Sequence, residues 1–249
     1  INKKNLKIFY YNNIFLKGSE IGIAIRSIIQ FIYDKLTKSE PNFIISRNIY
    51  SAFILSIFLS KKIIYETHTV EKKLRKKIQK YLLFNSKVKT VVISRALAKL
   101  LSEEHKIQDG SLFVFHDAAK SGRVFLEGRR KKQIKKALFD NENQYKKHIG
   151  YFGHLYAGRG IEIIEELAQI HTKYLFVIYG GNEKDIFYRK NKNKLKNIKF
   201  MGHVSHIEVY KSMSAMDILL MPYQKKVSIG IKDTDTAKWM SPLKLFEYM

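Results

Sequence analysis

Along the chain, short β-branched and aromatic runs alternate with stretches of helical period, and this alternation limits the possible folds more than any other feature. The runs lie at Leu6–Tyr11, Asn42–Ser46, Lys62–Tyr65, Thr90–Ser94 and Leu112–Phe115. Helical patterns fill the gaps at Ile21–Leu36, Tyr50–Leu59, Val70–Phe84 and Arg95–Glu104. Strand, helix and strand in this rhythm form βαβ units, whose crossovers make successive strands parallel and cover the sheet with helices. A second series repeats the rhythm, with strands at His148–Gly153, Tyr174–Tyr179, Ile198–Met201 and Asp217–Met221. Its helices are expected at Gly160–His171, Glu183–Lys192 and Ile207–Ser214. Between the two series the chain turns polar (EGRRKKQIKKALFDNENQYKK). The expected fold class is therefore α/β, with a doubly wound sheet in residues 1–127, a linker at 128–147 with room for a short helix, and a second sheet in 148–249.

Composition removes several classes of function. The 249 residues carry 46 Lys+Arg against 22 Asp+Glu, a net charge of +24, yet 45% are hydrophobic, too many for a disordered polycation. With no cysteine there is no disulfide framework, Cys-ligated zinc or thiol nucleophile. Only nine of the 46 cations are Arg, and Lys comes with abundant Ile, Asn, Phe and Tyr, the residues of A/T-rich codons. Much of the charge therefore reads as codon composition, with an anionic membrane or nucleic-acid surface as the other readings. His203 and His206 stand three apart with no carboxylate in register, so no metal site is expected. The longest apolar run, SAFILSIFLS, is about half of the ~20 residues that span a bilayer. No secretory leader is visible, so a cytoplasmic protein is expected, at most peripheral on the inner face of the membrane. One segment bears on that surface. In EKKLRKKIQKYLLF, Leu74, Ile78 and Leu82 form a stripe beneath a Lys/Arg face, which suits an anionic bilayer or packing on the first sheet.

The second half holds the candidate chemistry. In GYFGHLYAGRGIEIIEEL, Gly153 follows a strand and Arg159–Gly160 open an amphipathic helix. Unpaired amides at a helix start suit a phosphate, and Arg159 adds a charge-assisted fork. In SPLKLFEYM, Ser241 suits an N-cap, Pro242 the first helical position, and Leu245 and Tyr248 the apolar face. Lys244 opposes the dipole of that first turn, which makes sense where an anion also binds. Glu247 is placed to hydrogen-bond a pair of vicinal hydroxyls. In the first half, YETH puts His68 just after a strand, where it suits a structural role or acid–base work, and VFHDA ends another strand. Walker A and Gly-x-Gly-x-x-Gly motifs are absent.

Taken in order, GYFGHLYAGRG, the strand ending in Gly180–Gly181, MGHVSHIEVYKSMSAMDILLMPY and SPLKLFEYM resemble the donor domain of family 4 glycosyltransferases. YETH is similar to the Glu-x-His element of their acceptor domain. The resemblance implies a GT-B fold, two Rossmann-like domains facing a cleft, and sugar transfer with retained anomeric configuration. In it the leaving diphosphate acts as base, without a metal or a cofactor beyond the nucleotide-sugar donor. By the same resemblance Arg159 binds the diphosphate, and the stretch Ser241, Pro242, Leu243, Lys244 and Leu245 holds phosphate oxygens. Glu247 takes the ribose, Gly153 shapes the first donor loop, Gly202, His203 and Val204 line the nucleobase, and His68 lies near the reacting sugar. The implied partners are a nucleotide sugar and a glycan or lipid-linked acceptor; the EKKLRKKIQKYLLF helix by itself offers an anionic membrane surface as a further partner, and no nucleic acid is expected.

The sequence also departs from the pattern. Where many members carry a second Glu, eight positions before the ribose-binding one, this chain has Trp239, and Asp233 and Asp235 are the nearest carboxylates for that catalytic role. The Gly-rich N-terminal loop and the elements after SPLKLFEYM are missing, so a fragment truncated at both ends is expected. The alternatives are a basic nucleic-acid-binding protein and a non-catalytic remnant of a glycosyltransferase.

Overall fold

The computed structural model describes residues 19–39, 41–58, 62–108, 110–118, 128–142, 144–230 and 235–249. The strand expected at Leu6–Tyr11 lies outside them. The described chain divides into two compact units, residues up to His116 together with Trp239–Ser241, and Asp117–Lys238 together with Pro242–Met249.

The first unit is a parallel sheet in the order β1-β2-β3-β4 (Phe43–Ser46, Lys62–Thr67, Val88–Val92, Leu112–Val114). Its helices are α1 (Glu20–Leu36), α2 (Ile49–Phe58), α3 (Lys73–Phe84) and α4 (Arg95–His105). Local chemistry sets where they start. Ser19 accepts from the Gly22 amide at 3.0 Å, and Ser94 accepts from the Leu97 amide at 3.1 Å, each relieving an orphan donor. The α2 residues Ile49, Ala52 and Leu55 recur at helical spacing and bury against Ile63 and Tyr65 of β2, Leu82 of α3 and Val88 of β3. Each such aliphatic side chain contributes about 1.5–3 kcal/mol by leaving water. A second cluster joins Val92, Ile93, Leu97 and Leu101, with Trp239 packed on it. The stripe read into α3 divides. Ile78 and Leu82 pack inward, but Leu74 is 65% exposed, because Gln79 takes the fully buried position on the inward face.

The second unit contains β5 (Lys147–Phe152), β6 (Tyr174–Tyr179), β7 (Ile198–Gly202) and β8 (Ile218–Leu219), all parallel, in the order β7-β6-β5-β8. YLFVIY of β6 is buried from Leu175 to Tyr179, as a central strand covered on both faces must be. In α6 (Ile161–Ile170), Ile161, Ile164 and Ala168 turn one face onto that sheet. Helices α7 (Glu183–Lys192) and α8 (His206–Ala215) each begin with a reciprocal capping box, Asn182 with Asp185 and Ser205 with Glu208. The stretch expected as a linker, 128–147, is ordered into α5 (Gly128–Phe139) and a 3-10 turn (Asp140–Glu142), and its last residue opens β5. Phe139 buries in the second core against the ring of His148 at 4.9 Å, and Lys135 pairs with Asp217 at 2.6 Å. A short helix, α9 (Leu243–Tyr248), completes the unit.

The winding of this second sheet positions the site. The chain runs outward from β5 to β6 to β7, then returns to lay β8 on the other side of β5. The crevice at the carboxyl ends of β5 and β8 is a topological switch point, where connections diverge and leave room for a ligand.

Candidate functional site

Three strand ends meet at that edge, and glycine makes the approach possible. The Gly153 amide donates to Tyr179 O at 2.9 Å, and the Gly180 amide donates to Gly202 O at 2.6 Å. A Cβ on Gly180 would stand 2.2 Å from Gly153 O, so no side chain fits between the ends of β5 and β6. The loop after β5 folds against the loop after β8. Gln224 N donates to Gly158 O at 2.9 Å and Ser228 N to Ala157 O at 3.0 Å. Gly160, with φ +83°, forms the cap of α6, and a Cβ there would lie 2.1 Å from Pro222 O.

This frame holds Arg159 and Lys244 near one another. The Arg159 guanidinium lies over the Tyr223 ring, 4.7 Å from its centroid. Its Nε is buried and has no hydrogen-bond partner. Lys244 reaches back from α9 to the end of β5, where its ammonium donates to Phe152 O. A Cβ on Gly153 would lie 2.5 Å from Lys244 Cε, so that glycine leaves the channel the lysine occupies. Burial pushes the Lys244 ammonium down to about 8; Glu247 opposes this and the Arg159 charge adds to it. His154, stacked on Tyr156 at 4.7 Å, is held below the ordinary histidine range by burial and then by the charges of Arg159, Lys244 and His203. Two cations, one largely desolvated and one with a free buried donor, make a locus of positive potential lined by tyrosines. Tyr151 donates to His154 O at 2.7 Å, and the Phe152 amide donates to Tyr248 Oη at 3.1 Å. The arrangement can bind an anion with at least two acceptor oxygens.

The other expected donor residues fall as follows. Gly202 ends β7 with φ +80°, His203 is exposed just beyond it, and Val204 packs into the second core. Glu247 sits on α9 close enough to raise the Lys244 and Tyr223 ionisations. Around Ser241 the structure differs from the reading of the sequence. Pro242, not Ser241, occupies the cap of α9, and no side chain caps the helix, which begins at Leu243. The cause lies upstream, where the Ser94 hydroxyl donates to Trp239 O at 2.6 Å and holds Trp239–Ser241 in the first unit, so the turn into α9 is made at the proline. Leu245 is 44% exposed; within α9 it is Tyr248 that packs against the core. Asp235 Oδ1 accepts from the amides of Val227 and Ala237, both at 3.0 Å, and these bonds hold its carboxyl below the usual range. The carboxylate thereby ties Val227 to Ala237. Asp233 lies outside the described residues.

In the first unit His68 follows β2 and both its ring nitrogens are engaged. Nε2 lies 2.6 Å from Glu66 Oε1, and Nδ1 lies 3.2 Å from Arg47 Nη2. A guanidinium can only donate, so Nδ1 carries the lone pair and the Nε2 proton points to Glu66. The Trp239 indole donates to His68 O at 3.1 Å, so the tryptophan at the position of the missing acid serves as an anchor for the histidine's backbone. Arg47, Glu66 and Tyr223 thus join the candidate residues. Arg47 and Tyr223 have one sequence signal, a position just beyond a strand, and it marks a sheet edge without saying what lies opposite. Among the described residues no cluster of three His, Asp or Glu is placed to hold a metal.

No protein-family model and no curated protein sequence matches the chain. Solved structures do. The catalytic domain of starch synthase IV from Arabidopsis thaliana, bound to ADP and acarbose, superposes with a TM-score of 0.60 at 12% identity, over 85% of this chain and 58% of that one. A glycosyltransferase from Rickettsia africae gives 0.62 at 14% identity, over 87% and 59%. A UDP-GlcNAc 2-epimerase from Neisseria meningitidis, bound to UDP-GlcNAc, gives 0.51 at 12%, over 83% and 61%. The chain spans about three fifths of the length of these proteins. Its two parallel four-stranded sheets, the second with its switch point beside β5, are those of the GT-B fold, and that architecture is what it shares with them.

Proposed function

We propose that this chain is the nucleotide-sugar-handling part of a retaining glycosyltransferase, which moves a sugar from a nucleoside-diphosphate donor to a glycan or lipid-linked acceptor. One observation carries the reading: Arg159 and Lys244 converge at the switch point of the second sheet, with a buried unpartnered Nε on one and a desolvated ammonium on the other. Charge that builds on a departing diphosphate would be stabilised by these two cations, an electrostatic role that needs no covalent intermediate. Glu247 in this reading takes the ribose hydroxyls, Gly202, His203 and Val204 flank the base, and His68, held between Glu66 and Arg47, lies near the reacting sugar. Starch synthase with ADP and the epimerase with UDP-GlcNAc support a nucleotide ligand on this fold. A part in building cell-surface glycans, in the cytoplasm or at its membrane face, belongs to the same proposal.

Calorimetric titration with UDP and ADP tests it. Saturable binding is expected, weakened about tenfold or more in Arg159→Ala and in Lys244→Ala, the cost of one charge-assisted hydrogen bond each. Affinity unchanged in both variants would remove the diphosphate from this site. Product analysis with a nucleotide-sugar panel then separates transfer or hydrolysis from epimerisation of the sugar.

A further inference from the structure

Helix α3 presents two faces of different chemistry. Ile78 and Leu82 turn inward with Gln79. Leu74, Tyr81 and Phe84 turn outward, 65%, 43% and 57% exposed, and share that face with Lys73, Lys77 and Lys80. A single exposed leucine is ordinary, but three large apolar side chains spaced among three lysines on one helical face are not. The other cations of the helix have partners: Arg75 pairs with Glu71 and Glu20, and Lys76 with Glu104. Lys73, Lys77 and Lys80 form no ion pair among the described residues, and their face carries no carboxylate. The Phe53 and Tyr81 rings meet edge to face at 5.1 Å and set α2 beside α3, and α2 ends in Ile57 and the 70% exposed Phe58.

Three other helices show what is distinctive here. Helix α5 exposes Arg129, Arg130, Lys132 and Lys136 without an exposed large apolar residue. Helix α7 exposes Phe187 and Tyr188 but carries Glu183 and Asp185 in its first turn. Helix α1 exposes Ile21, Ile29, Tyr33 and Leu36 but carries Glu20 and Asp34. Among the described helices only α3 joins uniform positive charge to exposed aromatic and aliphatic groups. Codon composition explains lysine, tyrosine and phenylalanine anywhere on the surface; it does not explain their gathering with Leu74 on one face of a helix that carries no carboxylate.

We propose that the outward face of α3, extended by the end of α2, docks on an anionic phospholipid bilayer. Lys73, Lys77 and Lys80 extend their stems to reach lipid phosphates, while Leu74, Tyr81 and Phe84 enter the interfacial layer. The inference uses the first unit alone and stands whether or not the second unit binds a nucleotide.

Flotation of the whole chain tests it, using vesicles of phosphatidylcholine doped with phosphatidylglycerol and vesicles of phosphatidylcholine alone. Binding is expected to the doped vesicles and to weaken more than tenfold in K73E/K77E/K80E. L74A/Y81A/F84A is expected to weaken it at high salt as well, where charge is screened. Reversal of Arg129, Lys132 and Lys136 on α5 changes net charge equally and is expected to leave binding in place. All these side chains are exposed, and an unchanged circular dichroism spectrum verifies the fold. Equal binding to both vesicle types, or an equal loss from the α5 and α3 reversals, would overturn the proposal. So would salt-sensitive capture of duplex DNA by a chain that ignores the vesicles, which would assign the face to nucleic acid.

Discussion

Lys244 shows how one residue's chemistry depends on its neighbours. A lysine in the first turn of a six-residue helix would ordinarily be a solvated charge, but here it is drawn to Phe152 O through a channel that Gly153 leaves open. Burial lowers its ionisation to about 8, so it is largely charged at pH 7 and loses its proton as pH rises through 8. Affinity for a nucleoside diphosphate is therefore expected to fall between about pH 7 and pH 9, and calorimetry across that range measures it. Lys244→Arg keeps its charge throughout and should flatten the profile. Stability runs the opposite way. Because the folded value is depressed, the unfolded chain binds more protons between about 8 and the ordinary lysine value, and the ligand-free protein gains stability as pH rises through that window. Arg47 and Glu66 act on His68 in a similar spirit, fixing which nitrogen holds the proton.

Among the elements, it is the loops after β5 and β8 that are most tightly specified. Gly160 holds a left-handed conformation with Pro222 O where a side chain would begin. Gly160→Ala should cost more than about 2 kcal/mol, from backbone strain plus the displaced loop, read as a lower urea midpoint with unchanged slope. Gly110 is the control. Its φ is also positive, at +90°, but no heavy atom lies within 4 Å of its absent Cβ, so Gly110→Ala should cost only about 1 kcal/mol. Of these elements the sequence displayed a good deal. Tyr174–Tyr179 and Glu183–Lys192 coincide with β6 and α7, since apolar runs and capping residues are local signals. The start of α9 was not legible, because a contact from Ser94, far away in sequence, sets it.

At the scale of the molecule, each unit buries its own core, and the single tryptophan belongs to the first. Thermal unfolding is therefore expected in two steps. Trp239 fluorescence should report the first unit, and a saturating nucleoside diphosphate should raise only the transition seen by circular dichroism and silent in tryptophan. Coincident transitions that shift together would contradict this. The order of strands and helices, the two sheets and the glycine-rich edge follow from hydrophobic period and turn chemistry, which act over a few residues and so are written in the sequence. Which cation meets which carbonyl, that Trp239 holds His68 in the first unit instead of replacing an acid in the second, and that Leu74, Tyr81 and Phe84 face outward were decided only by tertiary structure. Those outcomes depend on residues brought together from distant parts of the chain, and on which side chains win the limited space inside each core.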